Sequence, residues 1–310
     1  MRLRYRSVVV GLVALTPLMF SAFASCSGDV GGTGTENGST GTESTTAGGG
    51  GQAGSSSSTY STGTGPAPTE IAPCGNKVYE CGDLEDNDGD GLIDSQDEHC
   101  LGPCDNTEDS YYADIPGMTG GPCKSDCFWD NGNGSGSDDC FWDHQCDELE
   151  VAPDYPPEGP DCAYDPNAGA GPYTCEEAYN MQSQMCYDVC VPLVPNGCDC
   201  FGCCELPAGS GKFVWLGSTD LESNLGTCTQ DVVSDTSKCK PCTPVPGCGN
   251  DCQPCELCLG KTELPPECFD PDGGNPDQCA PGVQACGLAG QDPCPTGYYC
   301  ITGCCVDIVN

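Results

Sequence analysis

Apolar residues along this chain form one continuous run and then only fragments. The run covers residues 8–20, and from there to about residue 73 neither a helical nor a strand period can be read. Further on, Ala178, Met181 and Met185 recur at helical spacing, and Thr174 with Glu177 makes a capping-box pair ahead of them. The pattern predicts one helix over residues 176–187, with Cys186 and Cys190 one turn apart if it continues. Residues 298–301 and 304–309 flank Thr302-Gly303 and predict a tight hairpin, and residues 212–216 predict a further strand. Elsewhere the 44 glycines and 27 prolines interrupt every other pattern, so loops should dominate.

One aromatic pattern repeats. Cys127-Phe128-Trp129-Asp130 recurs as Cys140-Phe141-Trp142-Asp143 across a Gly- and Ser-rich stretch, as two short strands joined by a flexible turn would require. Phe128, Trp129, Phe141 and Trp142 then form either a contact platform for sugar or protein, or a small core. The scarcity of other large apolar residues favours the core. Asn131, Asn133, Ser135 and Asp139 loosely imitate a metal loop here, but Trp142 occupies its closing position.

Composition explains the weak periodicity. The chain has 31 cysteines in 310 residues. From Cys74 onward cysteine reaches roughly 13%, the level of disulfide scaffolds that lack enough buried apolar surface. Each bridge contributes about 2 to 4 kcal/mol, mostly by restricting the unfolded chain. The expected fold is therefore small and disulfide-rich, mostly loops with short β-hairpins and one or two short helices.

Charge narrows the function. Against 47 acidic residues stand 9 basic ones, a net charge of −38. After residue 6 the basic side chains are Lys77, Lys124, Lys212, Lys238, Lys240 and Lys261, which excludes a nucleic-acid footprint and disfavours a bare anionic lipid surface. Divalent cations are the natural counter-charge, although most of these carboxylates serve solubility.

The N-terminus reads as an export signal: Arg2, Arg4 and Arg6, the apolar run, then small residues. Phe23-Ala24-Ser25-Cys26 resembles the lipobox of bacterial lipoproteins, with Phe23 where leucine is usual, and the resemblance implies acylation of Cys26. Ala22-Phe23-Ala24 also fits ordinary signal removal. Parity favours lipidation, because removing Cys26 leaves an even number of cysteines to pair. The expected address is the cell envelope, lipid-anchored at the outer membrane or cell surface, with secretion as the alternative.

The expected segments are 1–26, signal and anchor cysteine; 27–73, a disordered Gly/Ser/Thr-rich tether; 74–110, an acidic loop module; 111–160, the aromatic segment; and 161–310, a stapled region. A tether of this length spans about 35 to 40 Å, enough to hold a head clear of a membrane. Past the signal, no apolar stretch is long enough to cross a bilayer, leaving the N-terminal lipid as the membrane contact.

The sharpest chemistry lies in residues 86–97. Asp86, Asp88, Asp90, Asp94 and Asp97 occupy loop positions 1, 3, 5, 9 and 12, with Gly91 at the sharp turn, a spacing that wraps a hard cation. Leu92 would offer its carbonyl at position 7, and Asp94 would bind directly or through water. The stretch resembles the thrombospondin type 3 calcium repeat and, more distantly, the EF-hand loop. It departs from the EF-hand at Asp97, where glutamate is usual, and Gly82 and Gly102-Pro103 leave no room for flanking helices. Cys81 and Cys100 bracket the loop and are placed to clamp it, worth about 3 kcal/mol in the chain-entropy model. Calcium suits the site better than magnesium, with a dissociation constant of about 0.1 to 1 mM for extracellular modules.

Cys-x-x-Cys pairs such as those starting at Cys200, Cys239 and Cys252 have the spacing of redox and zinc sites, but behind an export signal structural disulfides are expected. Through Cys198-Asp199-Cys200-Phe201-Gly202-Cys203-Cys204 and Cys255-Glu256-Leu257-Cys258-Leu259-Gly260-Lys261 the chain also resembles cysteine-rich lipoproteins of myxobacteria. That resemblance implies an address and no activity.

His99 and His144 sit in no nucleophile, zincin or phosphate-loop pattern and read as surface residues. The leading expectation is a calcium-stabilised surface module for adhesion or binding of an extracellular protein or glycan. A hydrolase using paired carboxylates is one alternative. The other is an inhibitor-like module on Cys279, Cys286, Cys294, Cys300, Cys304 and Cys305.

Overall fold

The computed structural model describes residues 67–115, 123–130, 138–149, 162–220, 222–269 and 279–307. The expected signal, Cys26 and most of the expected tether lie outside them, as do Asn131, Asn133 and Ser135. Among the described residues, no helix is long and apolar enough to cross a membrane.

Regular structure is sparse. The strands are β1 (Lys124–Ser125), β2 (Trp142–Asp143), β3 (Gly169–Ala170), β4 (Tyr173–Thr174), β5 (Cys198–Asp199), β6 (Cys203–Glu205), β7 (Phe213–Trp215), β8 (Gly249–Asn250), β9 (Tyr298–Ile301) and β10 (Cys304–Asp307). Two short helices, α1 (Cys175–Asn180) and α2 (Gln184–Val189), complete the regular elements apart from single 3-10 turns. The fold is thus a small-element, loop-dominated disulfide scaffold. Its largest sheet has the antiparallel order β7-β6-β5-β8, and β1–β2, β3–β4 and β9–β10 form separate pairs.

All thirty cysteines from Cys74 onward are bridged, and the bridges fall into five blocks that never interlock along the sequence. Cys74–Cys104 and Cys81–Cys100 close the first block. Cys123–Cys162, Cys127–Cys190, Cys140–Cys186 and Cys146–Cys175 tie the aromatic segment to the helices. Cys198–Cys204, Cys200–Cys248, Cys203–Cys242 and Cys228–Cys239 brace the four-stranded sheet. Cys252–Cys258 and Cys255–Cys268 form the fourth block, and Cys279–Cys304, Cys286–Cys300 and Cys294–Cys305 the fifth. No Cys-x-x-Cys pair is bonded within itself.

Four bridges run across the expected segment boundary at residue 160, and the described residues from 67 onward fall in one compact unit. The head also begins before Cys74: the Ala72 N–H donates to the Gly82 carbonyl at 2.9 Å, and Thr296 Oγ1 donates to Glu70 at 3.0 Å.

The expected single helix is two. Thr174 and Glu177 make the full capping box of α1, but Ser183 caps α2 separately by accepting from Cys186 N–H. Gln182 forces the break. Buried between the helices, its side chain accepts from the Phe141 N–H at 2.8 Å and donates to the Phe141 carbonyl at 3.0 Å, pairing with the backbone like a strand neighbour. The face that packs inward carries Ala178, Gln182, Cys186 and Cys190, while Met181 and Met185 are about half exposed, at 50% and 48%. Once sulfur is paired it packs as the apolar group, and the thioethers are left outside.

Thr302 (φ 43°) and Gly303 (φ 87°) make the left-handed turn of the β9–β10 hairpin, whose twist suits two right-twisted strands. The expected strand at residues 212–216 is β7, in register with β6 through Cys204 opposite Val214.

The aromatic repeat lies inside. Phe128, Trp129 and Trp142 are buried and Phe141 packs against the same core, so these four do not present an exposed platform. Their two strands do not pair with each other either: β2 pairs with β1, upstream of Phe128. Phe128 and Trp129 meet edge-on at 5.0 Å, Trp142 stacks on Phe201 at 6.1 Å, and Phe141 meets Tyr173 at 5.8 Å. Gly202 (φ 79°) permits this, since a Cβ there would come within 2.7 Å of the Phe128 ring.

Asp199 organises the sheet end of that core. Its Oδ1 accepts from Phe201 N–H and Cys203 N–H, both at 2.9 Å, and its Oδ2 from Val245 N–H at 2.8 Å. Its carbonyl takes the Trp129 indole N–H at 2.7 Å. Burial pushes the Asp199 carboxyl up to about 7, against three amides that favour its charged form. His144 is a further correction: it is 2% exposed, packed edge-on against Trp215 at 4.8 Å, with Nε2 3.0 Å from Ser125 Oγ.

Candidate metal site

Residues 86–97 curl because their own carboxylates catch their backbone. Asp86 Oδ1 accepts from Gly89 N–H at 2.7 Å and Oδ2 from Gly91 N–H at 3.1 Å. Asp88 Oδ1 accepts from Asp90 N–H at 2.9 Å, and Asp90 Oδ1 from Leu92 N–H at 2.7 Å. Gly89 and Gly91 have φ of 85° and 98°, values that disfavour any side chain, so the tight curl depends on glycine at both. The Cys81–Cys100 disulfide closes the base of the loop.

This curl brings oxygens together. Ligand atoms of Asp86, Asp88 and Asp90 lie within 4.8 Å of one another, and so do those of Asp88, Asp97 and His99. Asp88 belongs to both groups, placing the four carboxylates at positions 1, 3, 5 and 12 around one region. Oxygens bound to calcium at about 2.3 to 2.6 Å lie within about 5 Å of each other, matching this spread.

Asp97 is the decisive member. Its side chain is fully buried, and Oδ1 accepts from His99 N–H at 2.7 Å. Oδ2 is also buried, yet has no hydrogen-bond donor among the described residues. Burial, followed by the charges of Asp90, Asp88 and Asp86, pushes the Asp97 carboxyl up to about 7. A buried carboxylate with a donor-less oxygen, beside Asp88 and under the charges of Asp86 and Asp90, is the environment that a hard cation relieves. No family model, curated protein or solved structure matches the chain. The site's own geometry therefore carries the functional argument.

One expected ligand stands differently. Asp94 turns away: its carboxylate lies 3.2 Å and 3.4 Å from the Leu84 N–H, so it braces the loop from below. It reaches that position in a left-handed conformation, φ 46°, and burial pushes its carboxyl up to about 6. Leu92 is half-buried, with its N–H engaged by Asp90 as described.

Two buried carboxylates that spacing does not mark brace this region, and Glu108 grips the loop itself. Glu108, 1% exposed, accepts from Asn87 N–H at 2.7 Å through Oε2 and from Asp94 N–H at 2.9 Å through Oε1, gripping both sides of the loop. Asp105, fully buried, accepts from Leu101 N–H at 3.0 Å and Thr107 N–H at 3.1 Å. Asp105-Asn106-Thr107 carries a readable turn signal, whereas nothing local marks Glu108. His99 lies edge-on to Tyr111 at 5.0 Å and is only 13% exposed at its side chain, so it too is not a surface residue.

Beside the loop runs a groove of about 420 Å³, walled by Gln96, Glu98, Lys261, Thr296, Tyr298 and Ile301 among others. Strand β9 packs on the Asp94–Gln96 turn, so the loop forms one wall of that groove.

Proposed function

We propose that the protein is a calcium-stabilised, disulfide-rich surface head that acts as a binding or adhesion module. The observation that carries this reading is Asp97, whose buried Oδ2 has no donor among the described residues and whose carboxylate lies within 4.8 Å of Asp88, with Asp86 and Asp90 alongside. The thrombospondin type 3 likeness of the spacing supports calcium as the ion, and the preponderance of carboxylate oxygens supports it over zinc. The single 3-10 turns at Glu80–Gly82 and Asp94–Gln96, in place of paired helices, favour a stabilising site over an opening switch.

The lipobox-like sequence supports attachment through Cys26 at the cell envelope. The complete pairing of the other cysteines supports an oxidising compartment. The groove beside the loop, with half-exposed Tyr298, supports contact with an extracellular protein or glycan there.

Calorimetry of the oxidised protein with calcium and with chelator tests the reading. At 10-fold to 100-fold over a dissociation constant of about 0.1 to 1 mM, calcium should add about 1.5 to 3 kcal/mol to folding stability. An unchanged melting temperature would remove the basis for it.

A further inference from the structure

A second group of buried carboxylates sits in the aromatic block. Asp126 and Asp138 are 2% and 0% exposed. Asp138 is well satisfied: Oδ1 accepts from Cys140 N–H at 3.0 Å and Oδ2 from Cys127 N–H at 3.3 Å, so one carboxylate bridges the two copies of the aromatic repeat. Asp126 is not. Both of its oxygens are buried and neither takes a well-formed hydrogen bond among the described residues; the nearby Cys127 N–H that favours its charged form donates to Asp138. What lies against it is the Asp138 carboxyl, within hydrogen-bonding reach, with the charge of Asp130 acting on it as well. Lys124, two residues upstream, is exposed and exerts its charge on Asp143.

Burying two adjacent carboxylates without a cationic partner is among the most expensive arrangements in a protein interior. Disulfides from Cys127 and Cys140, the neighbours of Asp126 and Asp138, hold the pair in place from both sides. We propose that Asp126 and Asp138 form a second divalent-cation site, separate from the loop at residues 86–97 and suited to calcium. Asp126 supplies the oxygens that lack donors, Asp138 shares an oxygen while keeping its two amides, and Asp130 adds charge nearby. Carboxylate oxygens alone select a hard cation over zinc. Its structural role is to fasten the two halves of the aromatic repeat, which Asp138 already joins through backbone.

The test is calcium stoichiometry on the full oxidised chain by equilibrium dialysis. Wild type should bind two ions; Asp126→Asn, which leaves the Asp138 amide bonds intact, should bind one. An Asp88→Asn/Asp97→Asn variant should also bind one, and combining all three substitutions should leave none. An unchanged stoichiometry in folded Asp126→Asn would overturn the proposal and leave the pair sharing a proton. Should Asp126→Asn fail to fold, the loop double variant decides alone: one remaining ion supports the site and none sinks it. Loss of an ion in Asp126→Asn with no loss in the loop variant would instead sink the loop reading and leave this one standing.

Discussion

The Tyr299 hydroxyl donates to the Cys81 carbonyl at 2.9 Å, joining residues 218 positions apart. Cys81 anchors the acidic loop through its disulfide, and Tyr299 is the buried residue of β9. The fifth covalent block is therefore docked on the first by packing and one buried hydrogen bond, although its six cysteines pair only among themselves. Tyr299→Phe should cost about 1 to 2 kcal/mol, because the Cys81 carbonyl loses its side-chain donor. Denaturant unfolding of the oxidised chain measures it, and an unchanged midpoint would contradict the docking role.

Asp97 and Glu108 should separate when mutated. Asp97→Asn removes the charge that faces Asp88 and should abolish calcium-dependent stabilisation. Glu108→Gln leaves the ligands in place but disturbs one of the two amides it grips, and should weaken calcium binding about fivefold to tenfold. Titration calorimetry distinguishes them. Equal effects would mean that Glu108 is itself a ligand or Asp97 is not.

Asp199→Ala strips three buried amides of their acceptor and should destabilise the oxidised protein by about 3 kcal/mol or more. Asp199→Asn keeps one acceptor oxygen and should fall between the two. A loss under about 1 kcal/mol for alanine would show that water replaces the carboxylate at little cost.

His144 predicts a pH dependence. Burial lowers its pKa from the usual 6.5 to about 4, so the unfolded chain takes up the proton first. Stability from this group is full above about 6.5 and is lost as pH falls toward 4, by about 3 kcal/mol in all. His144→Gln should flatten that part of the profile relative to wild type at a fixed calcium concentration. Parallel profiles for the two proteins would show that the imidazole is not held neutral.

Short-range rules made the turns and caps legible. The Thr174–Glu177 capping box, the Thr302-Gly303 turn, the β7 strand and the curl of residues 86–91 all depend on contacts a few residues apart. Paired cysteines and a loop-dominated scaffold followed from composition, since so little apolar surface cannot support an ordinary core. The same local logic failed where partners come from far away. The helix expected over residues 176–187 breaks because Gln182 bonds to Phe141, forty-one residues earlier. Asp94 fits the ligand spacing but turns to Leu84 because Glu108 holds its amide.

By itself, then, the sequence determined that the chain must be covalently stapled, where its tight turns fall, and that acidic residues at loop positions 1, 3, 5, 9 and 12 are spaced as ligands; only the structure set Asp94 apart from the other four. Tertiary structure decided which cysteine meets which, that the aromatic repeat and His144 are interior, and that Glu108 and Asp126 matter at all. The division has a physical reason. Turn, cap and curl energies act over a few bonds and are written in adjacent residues. Burial and pairing instead depend on distant segments that approach only once the whole head has closed around its bridges.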